Sequence, residues 1–246
     1  MPHPAPHRVH RPQGDPASST AALQALDQQA LRPETLGPLV LTTRLDSLTI
    51  AERWAAVDRE TGVASLAYRL HERPLPRALA RLRGRVNDDR PHLLSIRAVH
   101  TDESRHVWLV CPYLGDASGV LTLESAMRRQ GEALPAIEAA HAVAHIRAAL
   151  SSLRAAKLAH PNLTLDQLIV CPRGSLHIEL PGVATILDEP AHRDASTPLA
   201  DDRVAAHLAA QILTGDTGAT ARTLRERFRR RQRPDVVDWA MKLLNA

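Results

Sequence analysis

The sequence predicts an α+β chain in two lobes: a small antiparallel five-stranded lobe, then a mainly helical lobe. Three observations predict it. Apolar residues alternate at a period of two, between turn residues, from about residue 38 to 114. From Thr122 onward the apolar spacing changes to the helical period. A single basic segment of helical type, RALARLRGRV, interrupts the strands.

Residues 1–36 are rich in Pro, His, Ser, Ala and Gln and are expected to be a disordered tail. Within it ASSTAALQALDQQAL has helical spacing, and His3, His7 and His10 read as solvated residues rather than metal ligands. The first lobe is expected over 37–115. PLVLTTRL and RWAAVD read as strands, and RETG leads into VASLAYRL as a hairpin closed by Gly62. HLLSIRAV and HVWLVCPYL complete the five. The second lobe is expected over 116–246. TLESAMRRQG is a short helix, and Pro135 opens a long one, PAIEAAHAVAHIRAALSSLRAAKL. Two short strands follow within HPNLTLDQLIVCPRGSLHIELPG. ADDRVAAHLAAQILTG is a helix closed by Gly215, and PDVVDWAMKLLNA is the last helical piece.

Composition narrows the function classes. With 246 residues and 44% hydrophobic, the chain can bury a sizeable core, but at 2% aromatic it must build that core from Leu, Val, Ile and Ala. Lys157 and Lys242 are its two lysines, so the positive charge is nearly all arginine, a bias associated with GC-rich bacterial genomes. A net charge of +4 does not by itself imply a nucleic-acid partner. Cys111 and Cys171, each followed by proline in an apolar run, read as reduced buried thiols. The amino terminus lacks the apolar run of a signal peptide, and no stretch is long enough to span a bilayer. A cytoplasmic protein is expected.

The order of elements resembles the eukaryotic-type protein kinase fold. RLDSLTIAERWAAVDRETGVASLAYRL is similar to its first three strands, and VWLVCPYLG to its fifth strand and hinge. ALSSLRAAKLAHPNLTLDQLIV is similar to its catalytic-loop region, and DDRVAAHLAAQILTG to the central helix of its large lobe. The resemblance puts Asp46, Leu48 and Ala51 at the three glycines of the phosphate loop, where side chains and a negative charge oppose a triphosphate. It puts Arg69 at the nucleotide-gripping lysine, with no acidic residue between Glu72 and Asp88 to pair with it. Asn162 stands at the catalytic base, Thr164 at a phosphate-neutralising lysine, and Gln167 and Leu180 at the two magnesium ligands. Asp166 and Glu179 are the nearby carboxylates. Asp166 is expected to cap a turn, and strand alternation is expected to aim Glu179 away from the site. Lys157 follows the long helix, too far away to replace the missing lysine. At the hinge, Cys111, Pro112 and Leu114 keep what adenine needs, the Pro112 carbonyl and the Leu114 N–H.

The implied protein is a degenerate bacterial pseudokinase with no metal, no cofactor and weak or absent ATP binding. It would act as a regulator or scaffold. Because the family's catalytic parts act as a unit, their joint loss leaves no expected partial activity. The segment from Val183 to Asp201 lacks Ala-Pro-Glu, and fewer than 35 residues follow Gly215, so the helical lobe is shortened. In place of the missing part stands ARTLRERFRRRQRP. Arg222, Arg225, Arg227, Arg229, Arg230, Arg231 and Arg233 there suit an acidic or phosphorylated protein surface, with a solvated helix face as the plain reading. Scarce aromatics near these arginines disfavour nucleic acid. Two alternatives stay open: a nucleotide-dependent transferase using Arg69, Asp166 or Glu179 in new roles, and a nucleic-acid-binding accessory protein.

Overall fold

A computed structural model describes residues 34–116, 118–131, 133–160, 162–187, 197–229 and 235–245. Residues 1–33 of the expected 1–36 tail lie outside them, and its last two residues, Thr35 and Leu36, instead form a short strand. The first lobe is built on one antiparallel sheet of β1 (Thr35–Leu36), β2 (Leu39–Ser47), β3 (Ala51–Asp58), β4 (Ala64–Leu70), β5 (Ala98–Thr101) and β6 (Val107–Pro112). Their order in the sheet is β1-β2-β3-β4-β6-β5. The five expected strands are present, and the two-residue β1 adds a sixth at one edge. It pairs with β2 across a turn that Gly37, at φ 60°, closes. The β3–β4 hairpin turns where RETG predicts it. Asp58 Oδ1 accepts the Glu60 and Thr61 amides at 3.0 and 2.8 Å, and Gly62 takes φ 70°.

HLLSIRAV is only half a strand. β5 begins at Ala98, because His92 takes a left-handed turn (φ 61°) and Leu93 and Leu94 leave the sheet for the second lobe. Leu94 N–H donates to the Ile178 carbonyl at 3.0 Å, and Ile178 N–H donates to the His92 carbonyl at 2.9 Å. The basic segment forms α1 (Pro76–Arg83), with Pro76 in its first turn and no acidic residue.

The second lobe comprises α2 (Leu123–Gln130), α3 (Ala136–Ala155), the hairpin β7 (Leu168–Val170) with β8 (Leu176–Ile178), α4 (Val183–Leu187), α5 (Pro198–Thr214), α6 (Ala221–Arg227) and α7 (Asp235–Leu244). Thr122 and Thr197 cap α2 and α5 by accepting the Ser125 and Ala200 amides, and Gly131 and Gly215 end those helices at positive φ. α5 lies between α3 and α7. Its buried Ala205, Ala206, Ala209 and Ala210 let those neighbours approach closely.

Strand alternation gives the sheet two apolar faces. Ala56, Ala67, Trp108 and Val110 lie on the outer one, with Trp54 edge-on to Trp108. Leu66, Tyr68, Leu70, Leu109 and Cys111 lie on the inner one, and their cluster is continuous with the core of the helical lobe. The two lobes therefore share one core, and its junction positions the candidate site.

Gly182 stands at that junction with φ 71°, and an added Cβ would lie 2.8–3.2 Å from Leu158 side-chain atoms. Gly182→Ala is expected to cost about 2 kcal/mol, from the left-handed backbone and the overpacking together. Urea unfolding measures it, and an unchanged midpoint would refute it.

Candidate functional site

The site grows from the alternation of β4. Tyr68 is fully buried and points to the junction, whereas Arg69 points to the other face. There Arg69 Nη2 meets Glu52 Oε2 at 2.5 Å, and the guanidinium lies 5.8 Å above the Trp108 ring. Arg69 is thus held on the outer face of the sheet, away from the junction. The strand's cleft-facing position belongs to Tyr68, one residue earlier.

Glu179 corrects an expectation. Alternation along β8 would turn it away, but the strand ends at Ile178 and Leu180 takes φ 44°, which breaks the pleat. Glu179 instead projects into the junction with no exposed surface. Its Oε1 accepts the Tyr68 hydroxyl at 2.5 Å, and its Oε2 lies 3.0 Å from Arg53 Nη2. Arg53, only 1% exposed, also places Nε 3.1 Å from Asp46 Oδ1 and donates from Nη2 to the Asp166 carbonyl at 3.2 Å. Arg53 Nε and Glu179 Oε2 meet their partners at ion-pair distance but off the hydrogen-bonding angle. The contacts are chiefly electrostatic.

Burial governs the protonation of this cluster. It pushes the Glu179 carboxyl up to about 7, against the opposing pull of Arg53 and the Tyr68 hydrogen bond; Asp46 and Asp166 add to the rise. Burial, followed by the Glu179 charge, raises Tyr68 well above the ordinary phenol range and holds the Cys111 thiol neutral. Asp166 is thus close enough to act on Glu179 through space, while its carbonyl serves Arg53.

In the loop before β7, Asn162 is exposed and offers an amide rather than a base. Gln167 is buried, and its Oε1 accepts both the N–H and the hydroxyl of Thr164, at 3.1 and 3.0 Å. The residues matched to a magnesium ligand and a phosphate-neutralising lysine thus hold each other. The Gln167 carbonyl accepts the Glu179 N–H at 3.0 Å, tying this loop to the junction. Leu180 is 1% exposed and packs in the core, with no oxygen to offer a cation. Burial lowers His160 to about 4, so its imidazole is neutral.

At the hinge, Cys111 is fully buried opposite Leu66, Pro112 pairs with Ser65, and Leu114 is half-buried. Behind Cys111, the side chains of Tyr68, Glu179 and Arg53 form a block without solvent. Among the described residues, no group of three or more His, Cys, Asp or Glu is arranged to hold a metal. On α6, Arg222 pairs with Glu226 at 2.9 Å and Arg227 donates to the Thr214 carbonyl at 2.6 Å; these two, Arg225 and, just after the helix, Arg229 are all exposed. Arg230, Arg231 and Arg233 lie outside the described residues. The sequence reading missed the joint role of Arg53, Tyr68 and Glu179. Its one signal was Glu179 itself, a charge bracketed by Ile178 and Leu180 that needs a partner.

No family model and no curated protein matches this sequence. Solved structures do. The crystal structure of Rad53 1–466 in complex with AMP-PNP aligns with a TM-score of 0.69 at 16% identity, over 90% of this chain and 63% of that one. This chain thus spans less than two thirds of that neighbour's length. The Mycobacterium tuberculosis PknI kinase domain aligns with a TM-score of 0.59 at 15% identity, over 86% of this chain and 85% of that one. No helix among the described residues is long and apolar enough to cross a membrane. With a sheet lobe and a helical lobe joined at Cys111–Leu114, and two kinase structures superposing on most of its length, the chain has the two-lobed protein-kinase fold.

Proposed function

We propose that this chain is a catalytically inactive kinase-like protein that acts by binding, as a cytoplasmic regulator or scaffold. The observation that carries this reading is the Arg53–Glu179–Tyr68 block, which fills the junction between the lobes. Phosphoryl transfer needs metal ions held by carboxylate or amide oxygens, and a base placed for the acceptor. Here Leu180 has no oxygen, Gln167 is engaged with Thr164, and Asn162 cannot take a proton. Magnesium-ATP binding is weak or absent in this reading. The partner is a protein with an acidic or phosphorylated surface, met by Arg222, Arg225, Arg227 and Arg229 and by the arginines that follow.

One observation favours a second reading, a nucleotide-dependent transferase of unusual mechanism. A buried carboxyl tuned to about 7 is the kind of group that general acid–base chemistry uses.

Thermal unfolding with ATP, ADP and GTP, each with and without Mg²⁺, separates the two. A ligand held only by the folded state at 100 times its Kd adds about 2.7 kcal/mol. No shift is expected. A magnesium-dependent shift would overturn the inactive reading in favour of the transferase. A magnesium-independent shift would show that the junction admits a nucleotide, and would refute the reading that the Arg53–Glu179–Tyr68 block leaves no room for one.

A further inference from the structure

We propose that His92, His145 and His177 form an acid-sensitive latch that holds the loop leaving α1 against the β7–β8 hairpin and α3. The three imidazoles come from three elements and meet at the back of the lobe junction. His92, on the loop, stacks on His145 of α3 with ring centroids 4.3 Å apart and planes 24° apart. His177 of β8 lies 6.1 Å from His92. The same loop is tied to β8 by the Ile178 and Leu94 amide bonds. His92 also reaches β8 through its ring. Its Nδ1 is 3.0 Å from the Leu176 carbonyl, which can only accept, so Nδ1 carries the hydrogen.

Neutral rings can stack in this way, but protonated rings repel. Burial, followed by the charges of His92, His141 and His177, holds His145 below the ordinary imidazole range. His177 is lowered chiefly by burial and also by His92, against a hydrogen bond to the Leu93 backbone. No carboxylate is among the groups that shift either ring. On the loop side, Asp88 sits between Arg85 and Arg90, at 3.4 and 2.9 Å. On α3, Glu138 lies two turns before His145, and Arg147 turns to Asp202 and the Trp239 ring. Arg173, in the β7–β8 turn, is exposed. Since both shifted rings have lowered values, their stabilising contribution is present above the ordinary histidine range and is lost as pH falls through the lowered values.

Amide hydrogen exchange on the full chain tests the latch at the Ile178 and Leu94 amides, with α5 amides such as Ala209 as the reference for global opening. Between about pH 7.5 and about pH 5, after correction for intrinsic exchange, both amides should lose about tenfold more protection than the reference. His145→Gln should abolish that extra loss. So should His92→Asn, which keeps a side chain tolerant of the left-handed backbone and supplies the test if the α3 variant does not fold. An equal loss at latch and reference amides in the wild type, or the same extra loss in the variants, would overturn the proposal.

Discussion

Replacing Arg53 with methionine should lower the unfolding free energy by about 3–5 kcal/mol near pH 8, the usual cost of removing one partner of a buried ion pair. The loss comes from the charge left behind. Glu179 has no exposed surface, and without the guanidinium its ionised carboxylate keeps only the Tyr68 hydroxyl and the unfavourable fields of Asp46 and Asp166. Asp46 also loses its partner, but its side chain is 51% exposed and water compensates it. The deficit should therefore depend on pH. Below about 7 the wild-type carboxyl is already protonated, so the variant has less to lose there and its deficit should shrink.

Urea unfolding of both proteins near pH 8 and near pH 5.5 measures this. The double variant Arg53→Met/Glu179→Gln, which keeps an acceptor for Tyr68, should recover most of the loss, because removing a buried pair together is often close to neutral. An Arg53→Met protein as stable as the wild type near pH 8 would show that the pair does not stabilise the junction.

What the sequence made legible, and what it hid, divides by distance along the chain. Strands, helices and their turns were read from local signals: the alternation in VASLAYRL, Pro135 before α3, and Gly62, Gly131 and Gly215 at positive φ. The hinge at Cys111–Leu114 came from the resemblance of VWLVCPYLG to the kinase fold, not from a local signal. The missed features depend on partners far away in sequence. HLLSIRAV alternates like a strand, yet its first half is drawn out of the sheet by β8, through a His92–Leu176 contact 84 positions apart. A matched motif fixes a residue's offset but not the face it points to: Arg69 faces outward, and the inward Tyr68 is held by Glu179, 111 positions away. Nothing local in RWAAVD marks Arg53 as buried. That Asn162, Gln167 and Leu180 carry no carboxylate is legible in the sequence, because the chemistry of a side chain is a property of the residue alone.

The buried acid and the buried base of this junction should also oppose each other as pH changes. Glu179 rises from an ordinary 4.5 to about 7 in the folded protein. Its favourable contribution is complete below about 4.5 and is lost as pH rises through about 7, a swing of about 3 kcal/mol at 1.36 kcal/mol per unit. His160 falls from an ordinary 6.5 to about 4. Its contribution is complete above about 6.5 and is lost as pH falls through about 4, a swing of similar size and opposite sign. The two slopes largely cancel in the wild type, leaving the weaker acid-side loss from His145 and His177 and the opposing contribution of Asp201, which burial raises. Chemical unfolding across about pH 4–8 should therefore give a shallow wild-type profile. Glu179→Gln should unmask a steep rise in stability with pH over about 4–6.5, and His160→Gln a fall with pH over about 4.5–7. His160 serves as the internal control, since it touches the backbone of Glu179 but not its carboxyl. A Glu179→Gln profile parallel to that of the wild type would place the titrating carboxyl elsewhere and would refute the raised Glu179.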